Sequence, residues 1–242
     1  MIVRHRGQRV MWLVRHAETN WNSLGWAQGQ ATGARLTYRG RRQALRLAAL
    51  LETKDITAVY ASDLPRALDT ATTIADRLGR QVIVDPRLRE RSLGQVEGSC
   101  AASLPPDITG ISGGRVTDAG AHPAGGESLD DLHARCADFV SSVESRNDEG
   151  DIVVVAHGGS IRMIRAAVGG SRITGMSWGN VANASICRVT LPLPVPTTDQ
   201  VGADQVGTAP TILSTLTPRP GRDPMLSASP KLNTPPSLPI RL

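Results

Sequence analysis

Aromatic residues are scarce in this chain: one Phe, two Tyr and four Trp stand among 242 residues. Its core must therefore be aliphatic, and a hydrophobic content of 40% suffices for one α/β domain or two small ones. Cysteine is nearly absent. Cys100, Cys136 and Cys187 are odd in number, scattered and without a C-x-x-C, which speaks against both a disulfide scaffold and a zinc site. Long apolar runs are missing as well. The strongest, Ile152–Ala156, is far too short to span a bilayer, and the N-terminus carries no apolar stretch of signal-peptide length. A soluble, cytoplasmic protein with reduced thiols and no membrane partner is expected. Basic residues are not interleaved with aromatics, so no nucleic-acid partner is expected either. No internal repeat is visible. The net charge of +5 is modest and suits small acidic substrates.

What is present is a set of short apolar runs that end abruptly in chemistry-bearing residues. Met11–Val14 runs into Arg15-His16, and Asn22 follows after a turn. Ile56–Tyr60 ends in Ala61-Ser62-Asp63, and Pro65 can open the next helix with Arg66 on its first turn. Ile152–Ala156 ends in His157-Gly158-Gly159 and leads into another helix. Apolar runs of this length read as buried strands, and ligands of open α/β sheets bind at the carboxyl ends of such strands. A neutral imidazole there can act as a nucleophile, and a neighbouring guanidinium can hold a phosphate with two parallel hydrogen bonds. Glycines beside a helix N-terminus let the backbone approach an anion closely.

Between these runs, Thr37 is expected to cap a helix in which Ala44, Leu47, Ala48 and Leu51 share the buried face, an ordinary amphipathic helix. Gly79 should stop the helix begun at Pro65. Val82–Val84 reads as a third strand. Ser128 and Asp131 can cap a helix whose stripe runs through Leu129, Leu132, Cys136, Phe139 or Val140, and Val143, leaving His133 exposed. Ser23–Arg35 reads as a loop, and Ser99–Ala124 as a loop or loosely helical cover over the pocket. Thr211–Leu216 is expected as a final edge strand. Residues 1–9 read as a flexible basic leader, 10–217 as the folded domain, and 218–242, rich in Pro, Ser and Thr, as a disordered tail.

The phrases L-V-R-H-A-E-T-x-W-N (Leu13–Asn22), S-x-L-x-R-A-x-x-T-A (from Ser62), L-x-E-x-x-x-G-x-x-E-G (Leu88–Gly98) and V-x-H-G-G (Val155–Gly159) together resemble the histidine phosphatase superfamily, which includes the cofactor-dependent phosphoglycerate mutases. The likeness spans roughly residues 11–191. It implies a three-layer α/β/α sandwich with a mostly parallel central sheet. It also implies a phosphohistidine formed on His16 and a phosphate pocket of Arg15, Arg66 and His157, with Asn22 and Gly158 adding hydrogen bonds. A general acid must hold a proton near the scissile oxygen. The residues alone leave Glu90 and Glu97 as alternatives; the resemblance assigns Glu90 and makes Glu97 structural. No cofactor and no metal are called for, because cationic side chains supply the charge.

Three departures matter. Ala17 stands where Gly is more usual, the loop at Trp26–Gln30 lacks an Arg before Q-G-Q, and the segment after Gly98 lacks the longer basic insertion of the mutases. A mutase must hold a doubly phosphorylated intermediate, yet Gly98–Gly125 offers only Arg115 and His122 as cations. The expectation is a phosphomonoesterase acting on small phosphorylated metabolites of the sugar phosphate or phosphoglycerate type. A 2,3-bisphosphoglycerate-dependent mutase is the alternative, and an inactive phospholigand-binding protein the third reading. The W-G-N-x-x-N-A-S segment (Trp178–Ser185) is loosely similar to actinobacterial sugar-phosphoglycerate phosphatases. A homodimer is left open.

Overall fold

The computed structural model describes residues 8–146, 150–192 and 212–216. The greater part of the expected leader and the whole expected tail lie outside these residues. In chain order the elements are β1 (Gln8–Arg15), α1 (Asn20–Leu24), α2 (Tyr38–Leu51), β2 (Ile56–Ala61), α3 (Pro65–Leu78) and β3 (Val82–Val84). A short middle section follows, with α4 (Pro106–Thr109), β4 (Ile111–Ser112) and β5 (Arg115–Val116). The chain then continues through α5 (Leu129–Glu144), β6 (Asp151–Ala156), α6 (Gly158–Val168), β7 (Ile186–Pro192) and β8 (Ile212–Leu216).

The main sheet has the order β3-β2-β6-β1-β7-β8, in which β3, β2, β6 and β1 run parallel and β7 pairs antiparallel with β1. Successive side chains of a strand point to opposite faces, and both faces here are covered. Met11 and Leu13 of β1 join Ile152, Val154 and Ala156 of β6 in a cluster with the stripe of α5 and with Ile161 and Ile164 of α6. Trp12, Val14, Val153 and Val155 pack on the other side against Ala44, Leu47, Leu51 and Ile74 of α2 and α3. This is the expected three-layer α/β/α sandwich with a mostly parallel sheet. Every residue of β6 is buried, as a strand covered on both faces must be.

Local signals set the helix ends. Thr37 caps α2 by accepting from the Gly40 amide, Ser128 and Asp131 form a reciprocal capping box on α5, and Gly79 closes α3 at φ 62°. Cys136 lies in the core, and burial pushes its thiol up to about 12.

Four expectations are corrected. The first strand begins at Gln8, inside the expected leader, because β7 extends far enough to pair with it. Arg9 is consequently buried, and its Nη1 donates to the Val143 carbonyl at 3.2 Å, where the C-terminal dipole of α5 favours a cation. Ser23 and Leu24, expected within the loop, complete a helical turn over Asn20–Leu24 that a Thr19–Asn22 capping box holds. His133 is half-buried, with its Nε2 shielded and without a partner. The cover over 99–124 is more ordered than expected: Gly113-Gly114, at φ 56° and 71°, make a tight hairpin of β4 and β5. Arg91 fastens that cover with hydrogen bonds to the carbonyls of Ile108, Thr109 and Ala121, and a fourth to Glu127.

Candidate active site

The ladder between β1 and β6 sets Arg15 opposite Ala156. The next residues, His16 and His157, therefore leave the sheet side by side, with ring centroids 5.2 Å apart. His16 is anchored through its amide, which donates to Ala156 O at 2.9 Å. Its Nδ1 lies 2.8 Å from the Ala17 carbonyl oxygen. A carbonyl only accepts, so Nδ1 carries the hydrogen and Nε2 presents its lone pair. His157 Nε2 lies 2.9 Å from Ser62 Oγ at the end of β2, while its Nδ1 is buried without a protein partner.

Burial, reinforced by the Arg15 and Arg66 guanidiniums, holds both imidazoles well below their usual 6.5. They are neutral at pH 7. In the unfolded chain they take up protons from about pH 6.5 downward, so the unfolded state binds more protons and folding weakens as pH falls. Stability should be flat from pH 8 to 7 and then fall by up to about 1.4 kcal/mol per pH unit for each histidine below pH 6.5. Thermal melts in a phosphate-free buffer series test this, and a melting temperature constant from pH 7 to 5.5 would contradict it.

Two guanidiniums flank the imidazoles. Arg15 Nη1 donates to Val181 O, and Arg66, on the first turn of α3, donates to Gly29 O at 2.7 Å and Ala31 O at 3.1 Å. Burial lowers the pKa of both, Arg66 to about 10, which leaves them charged. The Nε atoms of both arginines are buried and lack a protein partner. Buried donors in that condition are costly unless something accepts from them, and anion oxygens would.

Glu90 faces this group. Its Oε2 accepts from Gly159 N at 3.0 Å and its Oε1 from Arg91 N at 2.9 Å. Its own carbonyl is held by Arg135 Nη2 at 2.9 Å and Gln30 Nε2 at 3.1 Å. Glu97, the rival carboxylate, accepts from the amides of Gln30 at 2.7 Å and Leu93 at 3.0 Å and so ties two loops together. Asn22 lines the same cavity; its Oδ1 accepts from Thr19 N at 3.1 Å and Asn183 Nδ2 at 3.0 Å, which turns its amide nitrogen to the task of donating.

The structure thus brings Arg15, His16, Asn22, Arg66, Glu90 and Gly158 to one cavity of about 550 Å³, with His157 packed against His16. The outer part of the cavity is apolar, with Trp26, Leu93, Leu104, Ile111 and Trp178. Arg115 and His122 do not line it. Sequence reasoning missed Ser62, Arg91, Arg135 and Arg162. Ser62 had a readable signal at the end of the second apolar run, and Arg162 had one in following His157 by little more than one turn of α6. Among the described residues, no group of three or more His, Cys, Asp and Glu could hold a metal ion, and no helix is long and apolar enough to cross a membrane.

The model of the histidine phosphatase superfamily (branch 1) matches residues 11–198. Phosphoglycerate mutase-like protein 4 of Arabidopsis thaliana is 40% identical over 157 residues, covering 63% of this chain and 67% of that protein. Glucosyl-3-phosphoglycerate phosphatase of Mycobacterium tuberculosis is 36% identical over 191 residues, covering 74% of this chain and 84% of the other. A solved structure of the mycobacterial glucosyl-3-phosphoglycerate phosphatase superposes with a TM-score of 0.67 at 34% identity, over 75% of this chain and 92% of that one.

Proposed function

Because the chain belongs to the histidine phosphatase superfamily (branch 1), we propose that it is a phosphomonoesterase that hydrolyses small phosphorylated metabolites through a phosphohistidine on His16. The observation that carries this reading is the orientation of His16. Its Nδ1 is committed to Ala17 O, so its free Nε2 lone pair belongs to a buried ring flanked by Arg15, Arg66 and His157. In the first step Nε2 attacks phosphorus, the bond from phosphorus to the ester oxygen breaks, and Glu90 gives its proton to the departing oxygen. In the second step Glu90 takes a proton from water, whose oxygen attacks phosphorus and releases His16. Arg15, Arg66, His157, the Gly158 amide and Asn22 hold the non-bridging oxygens as charge builds on them. The cationic side chains supply the charge, so the reaction needs neither metal nor cofactor. Three free cysteines fit a cytoplasmic setting.

The mutase alternative fares less well. It needs cations for a second phosphate; Arg115 and His122, the candidates of the cover segment, stand outside the cavity lining, and Arg91 and Arg162, which line it, spend donors on backbone carbonyls. The test is phosphate release from a panel of phosphomonoesters in EDTA, with acid and alkaline quenches to look for a base-stable, acid-labile phosphoenzyme. Release with that intermediate supports the reading. Isomerisation of 3-phosphoglycerate in the presence of 2,3-bisphosphoglycerate, in excess of phosphate release, would replace it with the mutase. Binding of these esters without turnover would replace it with a phospholigand-binding protein.

A further inference from the structure

Two cations that line the cavity have no part in the mechanism above: Arg91, whose donors are committed to the carbonyls of the cover and Glu127, and Arg162. Arg162, on α6, donates from Nε to Gly179 O at 3.1 Å and from Nη2 to the same oxygen. Its guanidinium carbon stands 4.3 Å from the centroid of the Trp178 ring. Trp178 is in turn fixed by the hairpin of the cover, its amide donating to Gly114 O at 2.7 Å. Tether and platform immobilise one edge of the guanidinium and direct the other, Nη1, inward. Nη1 comes within 3.3 Å of the point where a Cβ on Gly158 would stand, and Arg15 Nε and Glu90 Oε2 each come within 3.9 Å of that same point. Burial pushes the Arg162 pKa down to about 10, with Glu90 the nearest opposing charge, so the group is cationic at pH 7.

Arg162 thus reaches from Trp178, which lines the cavity with Asn180 and Val181, to the Gly158 end beside Glu90, the residue assigned to protonate the departing oxygen. The three non-bridging oxygens already face two guanidiniums, an imidazole and the amides opening α6. Glu90 is the one carboxylate lining the cavity among the described residues, and it is shared with Arg15, Arg66 and Arg91. Arg162 therefore has no carboxylate of its own there. A substrate that brings its own anion to that spot supplies the balance.

We propose that Arg162 is a specificity-determining residue that binds a carboxylate on the leaving alcohol, so that the enzyme prefers phosphomonoesters of hydroxy acids to those of neutral sugars and polyols. A carboxylate one or two carbons from the ester oxygen can accept from the inward Nη1, since the opposite edge of the guanidinium is committed to Gly179 O. This assignment rests on the phosphomonoesterase reading.

The experiment compares three phosphomonoesters with wild type and Arg162→Gln: 3-phosphoglycerate, glycerol 3-phosphate, in which CH₂OH replaces the carboxylate, and p-nitrophenyl phosphate. Wild type should favour 3-phosphoglycerate over glycerol 3-phosphate by at least about tenfold in kcat/KM, and Arg162→Gln should cut that ratio by roughly 10- to 100-fold, chiefly through KM. A wild type indifferent to the carboxylate overturns the proposal without any variant. An unchanged ratio in a variant that still turns over p-nitrophenyl phosphate also overturns it, because Arg162 would then serve the phosphoryl group. If p-nitrophenyl phosphate and glycerol 3-phosphate are hydrolysed without the preference, the carboxylate assignment alone falls. If none of the three is hydrolysed, the phosphomonoesterase reading falls and takes this one with it.

Discussion

His16→Ala should lower kcat by roughly 10⁴- to 10⁶-fold, the scale seen when a covalent nucleophile is removed from a hydrolase. No neighbour can stand in for it. His157 is 5.2 Å away between ring centroids, and its Nε2 is engaged with Ser62. The fold should survive, because the position is held through its backbone. The amide at 16 donates to Ala156 O, and the carbonyl accepts from Asn183 Nδ2 at 3.2 Å and Ala184 N at 3.3 Å. Far-ultraviolet circular dichroism should match wild type while the acid-labile phosphoenzyme disappears. Residual turnover within tenfold of wild type would remove His16 from the reaction.

The second large effect falls on stability and comes from a residue far from the chemistry in sequence. Gly40, in the first turn of α2, lies against the main chain of Glu18. A Cβ there would overlap the Glu18 carbonyl oxygen and sit 3.1 Å from its carbon. That neighbour is backbone and cannot swing aside. Gly40→Ala must therefore push α2 away from the turn that follows His16. Overpacking of this kind costs about 1–3 kcal/mol, which in a domain of this size lowers the melting temperature by roughly 2–10 °C. Turnover should fall too, because the same turn follows His16, the proposed nucleophile. An unchanged melting temperature and unchanged kcat would show that the contact is not tight.

Gly40 also shows where reading residues in order falls short. Leu36–Ala44 has the pattern of an ordinary amphipathic helix, and its apolar face is buried as that pattern requires. Its polar positions do something else. Thr37 Oγ1 donates to Glu18 Oε1 at 2.8 Å, Gln43 Oε1 accepts from Glu18 N at 2.8 Å, and Gly40 makes room for Glu18 between them. One helix face packs the core; the next fastens the loop behind His16. Periodicity reports the first and is blind to the second, since Glu18 is not a neighbour in sequence.

The same distinction sorts the rest. The runs at β1, β2 and β6, the caps at Thr37, Ser128 and Gly79, and the stripe of α5 were legible because each depends on residues a few positions apart. The placement of Arg15, His16, Arg66 and His157 followed from those strand ends. Arg91 and Arg135 were not legible, because apart from the Glu127 carboxylate that Arg135 meets, their partners are carbonyls up to 48 residues away. Nothing in an isolated arginine announces that. The hairpin at Ile111–Val116 did have its signal in Gly113-Gly114, but strands of two residues show no alternation to draw attention to it.

The sheet register that sets His16 beside His157 belongs to the innermost pair of strands, whereas Trp178 and the hairpin that fixes it belong to the periphery. Arg162 joins the two, since it leaves α6 just after His157 and stacks on Trp178. Substitutions in 99–124 leave every rung of the ladder in place, whereas Val181, whose carbonyl holds Arg15, ties 171–181 to the strand that carries His16.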